Sequence, residues 1–180
     1  MTLAEAEALR RTHLTHEARL RSVGALMCFF WVIYLLLGPL LAFLGFYAGA
    51  IDAPARPDDQ LPAVVIGVVI VGLSLPLAAL GAVGVRSGLR LRRIEAQHRT
   101  LYAVMLCLWL LSCSVASPLG LWGLFLLYSS AGDVVFSPVY QEARRLTPHM
   151  QPGTSLLAWL LIASLVLPVA AFFITLVMGG

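Results

Sequence analysis

Apolar positions along this chain gather into four long charge-free stretches, residues 23–51, 61–85, 100–130 and 155–178. A helix needs about 20 predominantly apolar residues to cross a bilayer, because each residue adds about 1.5 Å and the hydrocarbon layer is about 30 Å thick. All four stretches meet that length, and none has Asp, Glu, Lys, Arg or His in its middle. The pattern therefore predicts an all-α membrane protein, a bundle of four transmembrane helices forming one domain over residues 1–180.

The polar segments between the stretches contain local signals of their own. Residues 1–22 predict a cytoplasmic helix opened by a capping box, with Thr2 as N-cap and Glu5 three positions on. Glu5 and Glu7 come early and the Arg residues late, the order that the helix dipole favours, so the helix is expected to run on into the first span. Residues 52–60 hold three Asp and two Pro and predict a short turn. Residues 129–154 are longer and predict a short helix over 137–147, with Ser137 as N-cap and Pro138 at the first helical position. Val139, Ala143 and Leu146 share one side of it; Gln141, Glu142, Arg144 and Arg145 take the other, and Thr147–Pro148 ends it.

Nine of the 12 Arg residues flank span one on its N-terminal side or join spans two and three. Arg56, Arg144 and Arg145 fall in the other two connections. The positive-inside rule then places both termini in the cytoplasm of a multi-pass inner-membrane protein and makes the 137–147 helix extracytoplasmic and interfacial. Composition agrees with lipid as the solvent: 60% of residues are hydrophobic and 12% charged, against roughly 45–50% and 25% in soluble domains. The pI near 9.0 does not imply nucleic acid, because topology selection already accounts for Arg beside hydrophobic spans. The partners expected are the lipid bilayer and either further copies of the chain or another membrane protein.

Candidate chemistry is sparse. There is no nucleophile elbow, phosphate loop, dinucleotide fingerprint or HExxH pattern, so no catalytic residue, cofactor or metal is assigned. His13, His16 and Glu17 share a helical neighbourhood, but a solvated helix face is the simpler reading. Asp133, Tyr140, Glu142 and His149 would have to be assembled by the fold to act together. Each span carries one interior proline, Pro39, Pro76, Pro118 or Pro168; Pro118 with Gly120 is the candidate hinge. Ser112, Ser114 and Ser117 are the hydroxyls available to line a pore. Gly45 with Gly49 and Gly84 with Gly88 have the spacing that lets helices approach closely, within the bundle first and between copies second. The segment carrying Phe136, Ser137, Pro138, Tyr140, Glu142 and His149 is the candidate partner interface, set against the simpler reading that Phe136 and Tyr140 are interfacial aromatic anchors.

Gly120-Leu-Trp-Gly-Leu-Phe-Leu-Leu127, Phe136-Ser137-Pro138-Val-Tyr140-Gln141 and Thr147-Pro148-His149 resemble a family of uncharacterised bacterial membrane proteins with four predicted spans. Weaker echoes are Gly88-Leu-Arg90-Leu-Arg92 and His16-Glu17-Ala-Arg-Leu; spans one and two match only in hydrophobic character. The phenylalanine-proline-glycine-threonine element of that family is reduced here to Pro118 and Gly120. The resemblance implies a fold and carries no substrate with it. The expectation is a non-catalytic membrane protein, acting as a scaffold, accessory subunit or self-assembling homo-oligomer; a channel or small-solute pore is the alternative, and a membrane-embedded enzyme subunit the least favoured.

Overall fold

The computed structural model describes residues 1–51, 57–111 and 116–150, together with Pro152 and Ala163. Among these residues every regular element is helical and none is a strand. The fourth apolar stretch, including Pro168, lies outside the described residues, as do Ser112, Ser114 and the Gly49 contacts.

Helix α1 runs from Leu3 to Ile51, continuing past Pro39. Its start is the capping box anticipated above: the Thr2 N–H donates to Glu5 Oε2 at 2.7 Å and the Glu5 N–H to Thr2 Oγ1 at 3.3 Å. Helix α2 runs from Pro57 to Arg93. Both contain stretches long and apolar enough to cross a membrane. Ile94 then stops α2 with φ at 54°, a conformation unusual for a β-branched residue. Its N–H donates to the Leu91 carbonyl and the Glu95 N–H to the Arg90 carbonyl, the two bonds of a Schellman motif, and its side chain is fully buried. Burial of that side chain offsets the strain that glycine would avoid.

The chain divides into two compact units, Met27–Arg86 and Met1–Leu26 with Ser87–Gly180. In Met27–Arg86 the two helices run antiparallel and meet through small residues. A Cβ on Gly38 would lie 2.7 Å from the Ser74 carbonyl oxygen, and one on Gly81 2.5 Å from the Leu35 backbone nitrogen. Gly45 packs on Ile70 and Gly84 on the Trp31 ring, so both contact residues of the same chain. Away from that seam the helices present Leu36, Phe43, Phe46, Val68, Leu73 and Leu75, all more than half exposed.

The second unit departs from the expected single helix over 100–130. That stretch forms α3 (Arg99–Leu111) and α4 (Ala116–Tyr128), 13 residues each and packed side by side. Gly120 abuts the Leu106 carbonyl and the Trp109 Cβ, while Arg99 donates to the Leu127 carbonyl at 2.6 Å, so the pair is an antiparallel hairpin with its two outer ends together. A 13-residue helix is about 20 Å long, short of the apolar layer. Pro118 falls in the first turn of α4, where its missing N–H has no helical partner to lose, rather than as a bend inside one long helix. Arg99 closes the hairpin: it also donates to Asp133 Oδ1 at 2.6 Å and lies over the rings of Tyr128 and Phe136.

Two short helices follow. Ser129 caps α5 (Ser130–Val135), an element the sequence reading did not anticipate, and Ser137 caps α6 (Pro138–Leu146) by accepting from the Tyr140 N–H, with Pro138 in the first turn as predicted. Helix α6 does not lie apart from residues 1–22 as the four-span reading required. It packs against them, burying Tyr140 and Ala143 completely.

The close contacts at Gly38 and Gly81 are with backbone atoms that cannot swing aside. Gly38→Val and Gly81→Val should each destabilise the detergent-solubilised protein by about 1–3 kcal/mol, whereas Gly72→Ala, with nothing within 4 Å, should be neutral or mildly stabilising. Thermal unfolding followed by helical circular dichroism measures the contrast; equal losses at all three positions would refute the seam.

Candidate functional site

The densest constellation of polar groups surrounds Glu17, which is 0% exposed. Helix α1 places Arg10, Glu17 and Arg21 at intervals of seven and four residues, close to two turns and one turn at about 3.6 residues per turn, and so on one side of the helix. Arg10 Nη2 donates to Glu17 Oε2 at 3.2 Å and Arg21 Nη2 to Oε1 at 3.1 Å. From α6, the Tyr140 hydroxyl donates to Oε2 at 2.8 Å, and Arg144 Nε lies 3.3 Å from Oε1. Each carboxylate oxygen thus has two partners, three of the four contacts being hydrogen bonds and the Arg144 contact an ion pair.

The guanidiniums reach further. Arg10 Nη1 donates to the carbonyl and hydroxyl oxygens of Thr147, at 2.5 and 3.0 Å, and ties α1 to the end of α6. Arg144 Nη1 donates to the Arg93 carbonyl at 2.9 Å and so reaches the end of α2. Arg21 Nη1 donates to the Pro152 carbonyl. Three positive charges around one carboxylate leave the cluster with a surplus of two. Burial pushes the Arg144 pKa down while Glu17 pulls it back up, and burial followed by the Glu17 charge raises the Tyr140 phenol, keeping it a donor.

The structure disperses the other candidates. His16 turns from Glu17 to the Leu126 carbonyl, 3.0 Å away, which only a protonated Nε2 can approach as a donor. His13 stands edge-on to the Tyr140 ring. Asp133 is held by Arg99, and His149 Nε2 lies 3.4 Å from Glu7 Oε1. Glu142 is exposed at the rim of a separate cleft of ≈ 550 Å³, which Pro138 and Phe136 also line. Phe136 and Tyr140, expected as interfacial anchors, are 7% and 0% exposed, because they fill the space beneath Arg99 and beside Glu17. Ser117 donates toward the Trp109 and Leu110 carbonyls rather than standing free for a pore. Gly120 serves as a contact point between α3 and α4.

Sequence reasoning assigned Arg10, Arg21 and Arg144 to topology alone. The spacing of Arg10, Glu17 and Arg21 on one predicted helix was the available signal, but nothing local indicated that Tyr140 and Arg144 would complete the ring. No protein family, curated protein or solved structure matches the chain.

Removing the central charge strands the buried Arg10 guanidinium and the partly buried ones of Arg21 and Arg144. Glu17→Gln should cost about 3–5 kcal/mol and Tyr140→Phe, which loses one bond to a charged acceptor, about 1.5–3 kcal/mol, both by thermal or denaturant unfolding. A smaller loss for Glu17→Gln than for Tyr140→Phe would contradict the central role of the carboxylate.

Burial also lowers the His16 pKa below its ordinary value of about 6.5, with Arg19 and His13 acting in the same direction. The folded state therefore binds fewer protons at this site than the unfolded chain, so the His16 contribution is complete above about pH 6.5 and lost as pH falls through the lower folded value. His16→Gln should flatten the fall in stability below pH 6.5; an unchanged pH profile would exclude His16 as its source.

Proposed function

We propose that this is a multi-pass protein of the inner membrane with a non-catalytic role, a scaffold or accessory subunit that presents a rigid helical unit at the cytoplasmic face. The observation that carries this reading is the saturation of Glu17 by Arg10, Arg21, Tyr140 and Arg144, which commits the principal buried charges to holding helices together. Of the groups that an outer-surface active site would need, Asp133, Tyr140 and His149 are directed to separate neighbours and Glu142 stands exposed at the rim of another cleft. The apolar exteriors of α1 and α2 support lipid, or the spans of a partner or second copy, as their surroundings.

Ten of the 12 Arg residues belong to the unit formed by Met1–Leu26 and Ser87–Gly180. This supports a cytoplasmic location for that unit, now with Arg144 and Arg145 among its residues. Because α3 and α4 fold back, a further crossing by the apolar stretch of residues 155–178 would carry the C-terminus to the opposite side, instead of returning it to the cytoplasm.

Two measurements test the proposal. In a cysteine-free background, single cysteines at Arg11, Gln97 and Arg145 should react with a membrane-impermeant thiol reagent from the same, cytoplasmic side; labelling of position 145 from the other side would overturn the arrangement. The nanodisc-embedded particle should have the mass of a closed oligomer or of a complex with a stoichiometric partner. A solitary chain that turns over a lipid or small molecule would overturn the non-catalytic reading.

A further inference from the structure

Glu17 neutralises only part of the positive charge that the fold gathers around it. On one side of the cluster lies a cleft of ≈ 570 Å³, lined by Arg10, Arg21, Arg144 and Arg145 with Gln141 and Met150. An adjoining cleft of ≈ 340 Å³ shares Arg21 and is lined by Arg92 and Arg93 beside Leu89. Among the described residues neither lining contains a carboxylate. Glu17, with no exposed surface, pairs with Arg10, Arg21 and Arg144, three of the six guanidiniums that line the two clefts.

Much of the donor capacity remains unused. Among the described residues the side chains of Arg92, Arg93 and Arg145 make no hydrogen bond or ion pair, and the buried Nε atoms of Arg10 and Arg21 have no acceptor. Arg10 is 2% exposed. A planar guanidinium fork fits phosphate oxygens, and several forks converging on one cleft favour a multiply coordinated oxyanion over a carboxylate. The larger cleft is also within the volume range of about 300–1,000 Å³ typical of ligand sites.

We infer that these adjoining clefts bind phosphate, supplied by the headgroup of an anionic phospholipid. The inference rests on the membrane location proposed above. Arg21 lies two residues before the first apolar stretch, and Leu89, Arg92 and Arg93 follow closely after the second, which puts the cationic lining at headgroup level. Leu89 and Met150 give the clefts apolar borders, suited to a phosphate with acyl chains attached and of no use to a free ion. A bound headgroup relieves the mutual repulsion of the six guanidiniums and occupies donors that Glu17 leaves free.

Arg92 and Arg145 are exposed and take no part in the Glu17 ring, so Arg92→Gln with Arg145→Gln tests the site without dismantling the fold. The full chain is reconstituted in nanodiscs of equal phosphatidylglycerol and phosphatidylcholine, and retained lipids are counted by native mass spectrometry. In parallel, inorganic phosphate is titrated calorimetrically into protein held in phosphatidylcholine alone. The expected result is preferential retention of phosphatidylglycerol, reduced about twenty-five-fold in the double variant, at about fivefold for each Arg near an anionic surface. Equal retention of the two lipids, or retention unchanged in the variant, overturns the site. Phosphate binding without phosphatidylglycerol enrichment overturns the lipid as its source. Recovery of the chain in the membrane fraction, scored separately, keeps failure of the clefts distinct from failure of the membrane reading.

Discussion

A carboxylate can be carried into a protein interior only if its charge is met by donors placed before any water could reach it. Glu17 meets that condition through Arg10 and Arg21 on its own helix and Tyr140 and Arg144 on α6. The same guanidiniums continue to Thr147 and to the Arg93 carbonyl, so one buried charge sets the position of α6 relative to the start of α1 and the end of α2. An apolar contact could slide by part of a turn at little cost. A carboxylate with four partners cannot, because any slip leaves a buried charge unmet.

The hairpin of α3 and α4 depends on a different kind of constraint. Its helices are apolar on most sides and obtain their close packing from Gly120 and Gly123, where absent side chains admit Leu106 and the Leu106 carbonyl. Arg99 then fastens the open end through the Leu127 carbonyl and Asp133. Close packing and one cation together make a short hairpin from a stretch long enough to have crossed a bilayer. That fold-back is what brings α5 and α6 to the part of α1 that holds Glu17.

The function proposed above rests on how these charges are divided. Glu17 absorbs part of the positive charge and fixes the register of the helices, while among the described residues Arg92, Arg93 and Arg145 have no side-chain partner around the open clefts. The scaffold role and the lipid site proposed above draw on both properties, a fixed internal register and an outward-facing cationic surface.

Features that depend on neighbours within about four residues were legible in the sequence. The Thr2–Glu5 capping box, the Ser137–Pro138 start of α6, its end at Thr147 and the apolar length of α1 and α2 all belong to this class, because hydropathy and capping act along the local chain. The break between α3 and α4 was not legible, since an apolar run reads alike whether it crosses lipid or folds back on itself. Nor was the site. Tyr140 meets Glu17 across 123 positions and Arg10 meets Thr147 across 137, and only the folded chain decides which distant donors complete a buried carboxylate.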